Sequence, residues 1–168
     1  TVNWPISLLD KLADIDNLIA IKEDTKDDKY SIQVINCLKN RLSIIISGGG
    51  KRQWLRFSEL GCKSWLNGIG VFEPCLATIF YDSYIKGNTN LLNLILEKIE
   101  DPFFEKICKK FGWHLGIKAA MEARKIFPRF ERMPLMPIND IQMEYVRNEM
   151  KKIEPFIDQV KDIYFKTK

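Results

Sequence analysis

The chain has 168 residues, 46% hydrophobic and 29% charged, with a formal net charge of +4. Those values suit one folded domain and exclude disordered, collagen-like and coiled-coil classes. The longest apolar run falls well short of the ~20 residues a membrane span needs. The opening Thr1-Val2-Asn3-Trp4-Pro5 lacks the basic start and apolar core of a signal peptide. No membrane association is expected, and the first residue, not being Met, suggests a chain processed or cut from something longer.

In chain order, Ile6, Leu8, Leu9 and Leu12 form the end of a helix with no strand before it. Leu18-Ile19-Ala20-Ile21 reads as a short buried strand closed by Lys22. Tyr30, Ile32, Val34, Ile35 and Leu38 then share one side of a helix, with Asp27-Asp28 at its start, where acids suit the helix dipole. Leu42-Ser43-Ile44-Ile45-Ile46 is a second, β-branched strand, closed by Ser47 and the triglycine Gly48-Gly49-Gly50. Runs apolar at nearly every position suit a parallel sheet covered on both faces. Trp54, Leu55, Phe57, Ser58 and Leu60 continue a second helix, stopped by Gly61, and Lys63-Ser64-Trp65-Leu66-Asn67 is a weaker third strand. The distances Leu18 to Leu42 and Leu42 to Leu66 are both 24 residues, a β/α repeat that says α/β, doubly wound or barrel.

From Pro74 the strand signal disappears. Helices are expected from Pro74 to Ile85, Leu91 to Ile99, from Pro102 in a first turn through Phe111, Leu115 to Ile126, and Ile141 towards Ile163. Asn139 or Asp140 caps the last of these, and Pro155 should break or kink it. The expected division is 1–86 for the β/α part and 87–168 for an all-helical domain.

The four cysteines, Cys37, Cys62, Cys75 and Cys108, are never closer than 13 residues, so no zinc-ligand spacing exists and free thiols of a reducing cytosol are expected. One histidine, His114, rules out a His-based metal cluster within the chain and reads as a packed core or hinge residue. Residues 103–132 carry eight basic against three acidic side chains, but their aromatics fall at core spacing, so nucleic-acid binding is not expected.

Chemistry is expected at the C-terminal ends of the strands. A lysine following Leu-Ile-Ala-Ile points its amine at an apolar barrel, where desolvation favours the free amine that attacks a ketone. The alternative is a strand-end lysine reaching solvent, paired with Glu23 or Asp24. The triglycine offers bare N–H groups to an anion or serves as a tight turn. It is neither a P-loop nor a dinucleotide fingerprint. Lys51 and Arg52 make a basic rim or a solvated first turn.

Together, Leu18-Ile19-Ala20-Ile21-Lys22-Glu23-Asp24, Ile46-Ser47-Gly48, Gly61-Cys62-Lys63-Ser64-Trp65-Leu66-Asn67 with Pro74, Ile117-Lys118-Ala119-Ala120 and Arg132-Met133-Pro134-Leu135-Met136-Pro137 resemble the dihydrodipicolinate synthase/N-acetylneuraminate lyase family. The resemblance implies the C-terminal part of a (β/α)₈ barrel, strands six to eight, followed by a C-terminal helical domain. It implies Lys22 as the lysine that forms an imine with pyruvate or another 2-oxo acid, and Gly48 and Gly49 beside the substrate. Leu66 would present a backbone group to the bound keto acid. Lyase, aldolase and dehydratase reactions all run through such an imine, without cofactor or metal, in a cytoplasmic homo-oligomer. A non-catalytic member that binds a keto or sugar acid as a sensor or scaffold is the alternative.

Departures accompany the match. Gly49, Gly50 and Lys51 stand where sugar-acid enzymes of the family often carry an acidic residue, and Val71 stands where many members have Asn. The family's proton-relaying tyrosine and its Gly-Thr-Thr segment would precede Thr1. Three strands do not close a barrel of ~250 residues, so the isolated 168-residue chain is expected to be inactive.

Overall fold

The structure, a computed structural model, describes residues 3–48 and 50–166. The chain packs as two compact units that meet in sequence between Asn67 and Gly68.

The first unit begins with α1 (Ile6–Leu12), then β1 (Ala20–Glu23), α2 (Asp28–Leu38), β2 (Ser43–Ile46), α3 (Gly50–Ser58) and β3 (Ser64–Trp65). The strands form a parallel sheet in the order β1-β2-β3. Ala20 lies opposite Ser43, Lys22 opposite Ile45 and Glu23 opposite Ile46, while Ile45 lies opposite Ser64. β1 is displaced along the chain from the apolar run that suggests it. Ile19 is 77% exposed, although its carbonyl starts the ladder by accepting the Ser43 N–H at 3.0 Å. The strand ends at Glu23, so Lys22 lies inside it rather than after it.

Alternation along β2 places Ile44 and Ile46 on the covered face, with Val34, Ile35 and Leu38 of α2 and Trp54 and Phe57 of α3 in the same core. Trp54 fixes α3 to the sheet: its ring lies 4.4 Å from that of Trp65 and its indole N–H donates to the Cys62 carbonyl at 3.0 Å. α2 starts where its acids predict. The Asp27 carboxylate accepts the N–H groups of Lys29 and Tyr30 at 3.0 and 3.3 Å, satisfying two donors of the open first turn.

The second unit is helical among its described residues. A 3₁₀ turn (Ile69–Val71) leads into α4 (Cys75–Ile85). A continuous helical path then runs through α5 (Thr89–Ile95), a π turn (Leu96–Glu100), α6 (Asp101–Phe103), a second π turn (Phe104–Cys108) and α7 (Lys109–Phe111). Pro102 therefore sits within this path and does not open a separate helix. Proline has no N–H and its ring crowds the carbonyl four residues back, and the wider turn preceding it re-spaces those carbonyls. After Gly112, which adopts φ +94°, come α8 (Trp113–Ala123) and α9 (Asp140–Lys166).

α9 buries Met143, Val146, Met150, Ile153, Ile157, Val160 and Tyr164, a stripe of alternating three- and four-residue steps. It packs on α4, α5 and α8. Asn139 is its cap: the Gln142 N–H donates to the Asn139 side chain at 2.9 Å and the Asn139 N–H to the Gln142 side chain at 2.8 Å. Pro155 does not end α9. It lies on the exposed face, as does Lys151, whose carbonyl loses its helical partner and meets water.

The buried carboxylate of Glu73 ties this unit together. Arg124 of the α8 terminus and Lys161 of α9 each reach it at 2.5 Å, and Arg124 extends to Glu154 at 2.6 Å. Removing Glu73 takes this partner from Lys161 and leaves Arg124 its Glu154 contact at the exposed side. Glu73→Ala is expected to lower stability by ~2–3 kcal/mol, read as a lower urea midpoint, whereas Glu154→Ala, on the exposed side, shifts it little.

Candidate active site at the strand ends

The C-terminal ends of β1, β2 and β3 bring together Lys22, Glu23, Asp24 and Thr25 from the first, Ser47 and Gly48 from the second, and Leu66 and Asn67 from the third. The first turn of α3 adds Lys51 and Gln53. All lie in the first unit.

Successive strand residues point to opposite faces. Glu23 turns to the helix-covered face, where it is buried beside Ile46. Lys22 turns to the other face, in one row with Ile45 and Ser64. Its side chain is 46% exposed and its Nζ lies 2.9 Å from the Asp24 carboxylate. The ion pair that the sequence offers as the alternative for this lysine is thus present, and within this unit the amine is not enclosed by apolar side chains. Lys22, followed by Ser47, hydrogen-bonds the Asp24 carboxyl and holds it below the ordinary aspartate value, against a smaller opposing effect of burial.

Beneath this pair lies a buried polar lattice. The Glu23 carboxylate accepts the Thr25 N–H at 2.9 Å and the Ser31 hydroxyl at 3.3 Å. The buried Gln53 amide donates to the Thr25 carbonyl at 3.0 Å and reaches Asp28 at 3.4 Å. The Ser47 N–H donates to the Glu23 carbonyl at 2.8 Å, extending the ladder past β2. The loop after β1 is therefore anchored at both the N–H and the carbonyl of Thr25.

Gly48 is explained by the same loop. A Cβ built there would stand 2.1 Å from the Thr25 oxygen and 2.8 Å from that of Asp24, both rigid backbone atoms. Gly49 lies outside the described residues. The Leu66 N–H is taken by the Ile46 carbonyl at 2.8 Å, so it is unavailable to a ligand, and the Leu66 side chain is exposed. Lys51 is neither a rim nor a solvated residue. It is 2% exposed, and its Nζ donates to the Asn67 side chain at 2.8 Å.

Other sequence expectations resolve at the residue level. His114 is exposed in the first turn of α8, not packed. All four cysteines are free thiols; Cys62 and Cys108 are buried, and burial pushes them up to about 11 and about 12, whereas Cys37 and Cys75 are half-buried. Among the described residues no group of three or more His, Cys, Asp or Glu is placed to hold a metal, and no helix is long and apolar enough to cross a membrane. Sequence reasoning missed the burial of Lys51 and Gln53. The polar Gln53, one position before Trp54 on the same helix face as Phe57, was the available signal.

The Dihydrodipicolinate synthetase family profile matches residues 1–153. A Bacillus licheniformis protein described as a probable 5-dehydro-4-deoxyglucarate dehydratase is 23% identical over 157 residues, covering 85% of this chain and 47% of that protein. A 4-hydroxy-tetrahydrodipicolinate synthase from Methylacidiphilum fumariolicum SolV is similar in structure, with a TM-score of 0.75 and 16% identity, over 94% of this chain and 52% of that one. The chain spans about half the length of each.

Gly48→Ala is expected to force the two strand-end loops apart and lower stability by ~1–3 kcal/mol, measured by thermal or urea unfolding. Gly50→Ala tests the contrast between crowding and backbone strain, because Gly50 has φ +59° but nothing within 4 Å of a Cβ.

Proposed function

Because the chain belongs to the dihydrodipicolinate synthetase family, we propose that Lys22 attacks the ketone of a 2-oxo acid and forms a protonated imine. In this reading β1, β2 and β3 are strands six to eight of a (β/α)₈ barrel, and the row Lys22, Ile45, Ser64 faces its interior. The observation that carries the reading is the position of Lys22: at the C-terminal end of a parallel strand, on the face turned away from the helices, next to the Gly48 loop. Reactive groups of β/α barrels stand at that end.

The imine acts as an electron sink. Once protonated, it stabilises the carbanion equivalent left by C–C cleavage or by loss of a proton beside the carbon. Cleavage, condensation and dehydration share that intermediate, and the lysine supplies it without a metal or organic cofactor. Gly48 and Gly49 would border the bound acid, and a Leu66 backbone group, its carbonyl, would face the keto acid. A 2-keto-3-deoxy sugar acid is the favoured substrate class. The dehydratase description of the Bacillus relative supports it, while Gly49 and Gly50 depart from the acidic residue that sugar-acid enzymes of the family often carry there. Family membership is also the ground for proposing a homo-oligomer of cytoplasmic location.

A second reading has its own observation. The ion pair of Lys22 with Asp24, half exposed, suits a member that binds a keto or sugar acid as a sensor without forming an imine.

Borohydride reduction in the presence of pyruvate separates the two. The protein carrying its full reading frame is expected to gain a reduced adduct on the Lys22 peptide, seen by mass spectrometry. Lys22→Ala is expected to lose both adduct and turnover. Absence of the adduct from the unaltered protein, with ligand affinity retained in Lys22→Ala, supports the sensor instead.

A further inference from the structure

The helical unit holds a cavity that the chemistry proposed for Lys22 does not use. Its volume is about 400 Å³ and its walls come from the π-turn path and α9, within the ~300–1,000 Å³ range of small-molecule sites. We propose that it binds a small amphipathic carboxylate, an apolar chain ending in one anionic group. The walls account for the irregular helix. The path contributes three pairs: Glu97 with Lys98, Pro102 with Phe103, and Lys106 with Ile107. Lys98 and Ile107 are nine residues apart, about two and a half turns of α-helix, which sets two side chains on opposite sides. Each π turn, Leu96–Glu100 and Phe104–Cys108, takes up one residue more than an α turn. Two such turns reduce the separation to about two full turns, so both ends of the segment face the same cavity. Pro102 accounts only for the π turn before it. The second lies after the proline and contains neither Pro nor Gly. Its effect is to bring Lys106 and Ile107 to the wall that Lys98 occupies.

The floor is apolar and the rim is charged. Phe103, Ile107 and, from α9, Ile153 are buried, with Pro102 and Phe156 half-buried around them. A hydrocarbon chain laid on these side chains leaves water, the main source of affinity for such a ligand. At the rim, Lys152 of α9 is committed to Glu149 at 2.6 Å. Among the described residues Lys98 and Lys106 enter no ion pair and no side-chain hydrogen bond, and neither does Glu97. Two ammonium groups against one carboxylate leave one net positive charge, which suits a head group of one negative charge. The chain covers the floor and the head group meets Lys98 and Lys106.

Octanoate is the probe, titrated into the protein carrying its full reading frame and followed by the methyl NMR signals of Ile107 and Ile153. Saturable shifts at both are expected, with a Kd of about 1 mM or below. Octanol lacks the charge, octylammonium reverses it and acetate lacks the chain; each is expected to bind at least ~5-fold more weakly. Lys98→Met combined with Lys106→Met keeps both stems at exposed positions and is expected to weaken octanoate by about 5–10-fold. Glu97→Gln removes the repelling charge and is expected to tighten octanoate by about 2-fold. Should the double lysine variant lose its fold, the Glu97 variant carries the comparison. Octanoate that leaves Ile107 and Ile153 unshifted up to about 10 mM overturns the proposal. So does octanol, octylammonium or acetate binding as tightly as octanoate, and so does an octanoate affinity that none of these substitutions changes.

Discussion

At Gly48 the chain passes so close to the Thr25 carbonyl that only a hydrogen fits between them. That contact sets the spacing of the first two strand ends, and the rest of the strand-end geometry is built against it. Thr25 cannot move away, because Glu23 holds its N–H and Gln53 holds its carbonyl. Asp24, one residue earlier, is consequently delivered to Lys22 and Ser47. Hydrogen bonds to ionised or buried groups are among the stronger ones, and leaving any of these unmade strands a polar atom in a dry interior. The lattice is therefore cooperative: its members share Thr25, and loosening one loosens all.

The helical unit solves a different problem with the same economy. Its long helical path must accept Pro102, and its terminal helix must accept Pro155. The first is half-buried and is preceded by a π turn; the second faces water and sits within α9. Between these helices, Glu73 gathers charges from two distant segments into one buried cluster. The apolar stripe of α9 supplies the packing area, and Glu73 supplies a specific rotational setting for it.

Much of this is written in local patterns. The β-branched run of β2, the acids before α2, and Asn139 or Asp140 ahead of Ile141 each announce an element or its boundary. Lys22 stands out because a cation closes an otherwise apolar run. What escapes is long-range pairing of charge. Lys51 reads as a solvated first-turn residue because periodicity carries no information about Asn67, 16 residues on. Arg124 lies 51 residues from Glu73, so nothing in either neighbourhood advertises their pairing. His114 reads as packed because it follows Trp113 in an apolar stretch, yet the first turn of α8 opens on solvent. The two-residue displacement of β1 has a similar origin: Leu18 and Ile19 are apolar, but the ladder, not hydropathy, decides where a strand begins.

The row Lys22, Ile45, Ser64 has a chemical corollary. Water reaches a lysine that is half exposed, and water both hydrolyses imines and protonates enamines. Under the proposed imine reading, solvent on this face competes with any carbon electrophile for the same electron pair. Cover over the row would then set the partition between simple protonation and carbon–carbon bond formation.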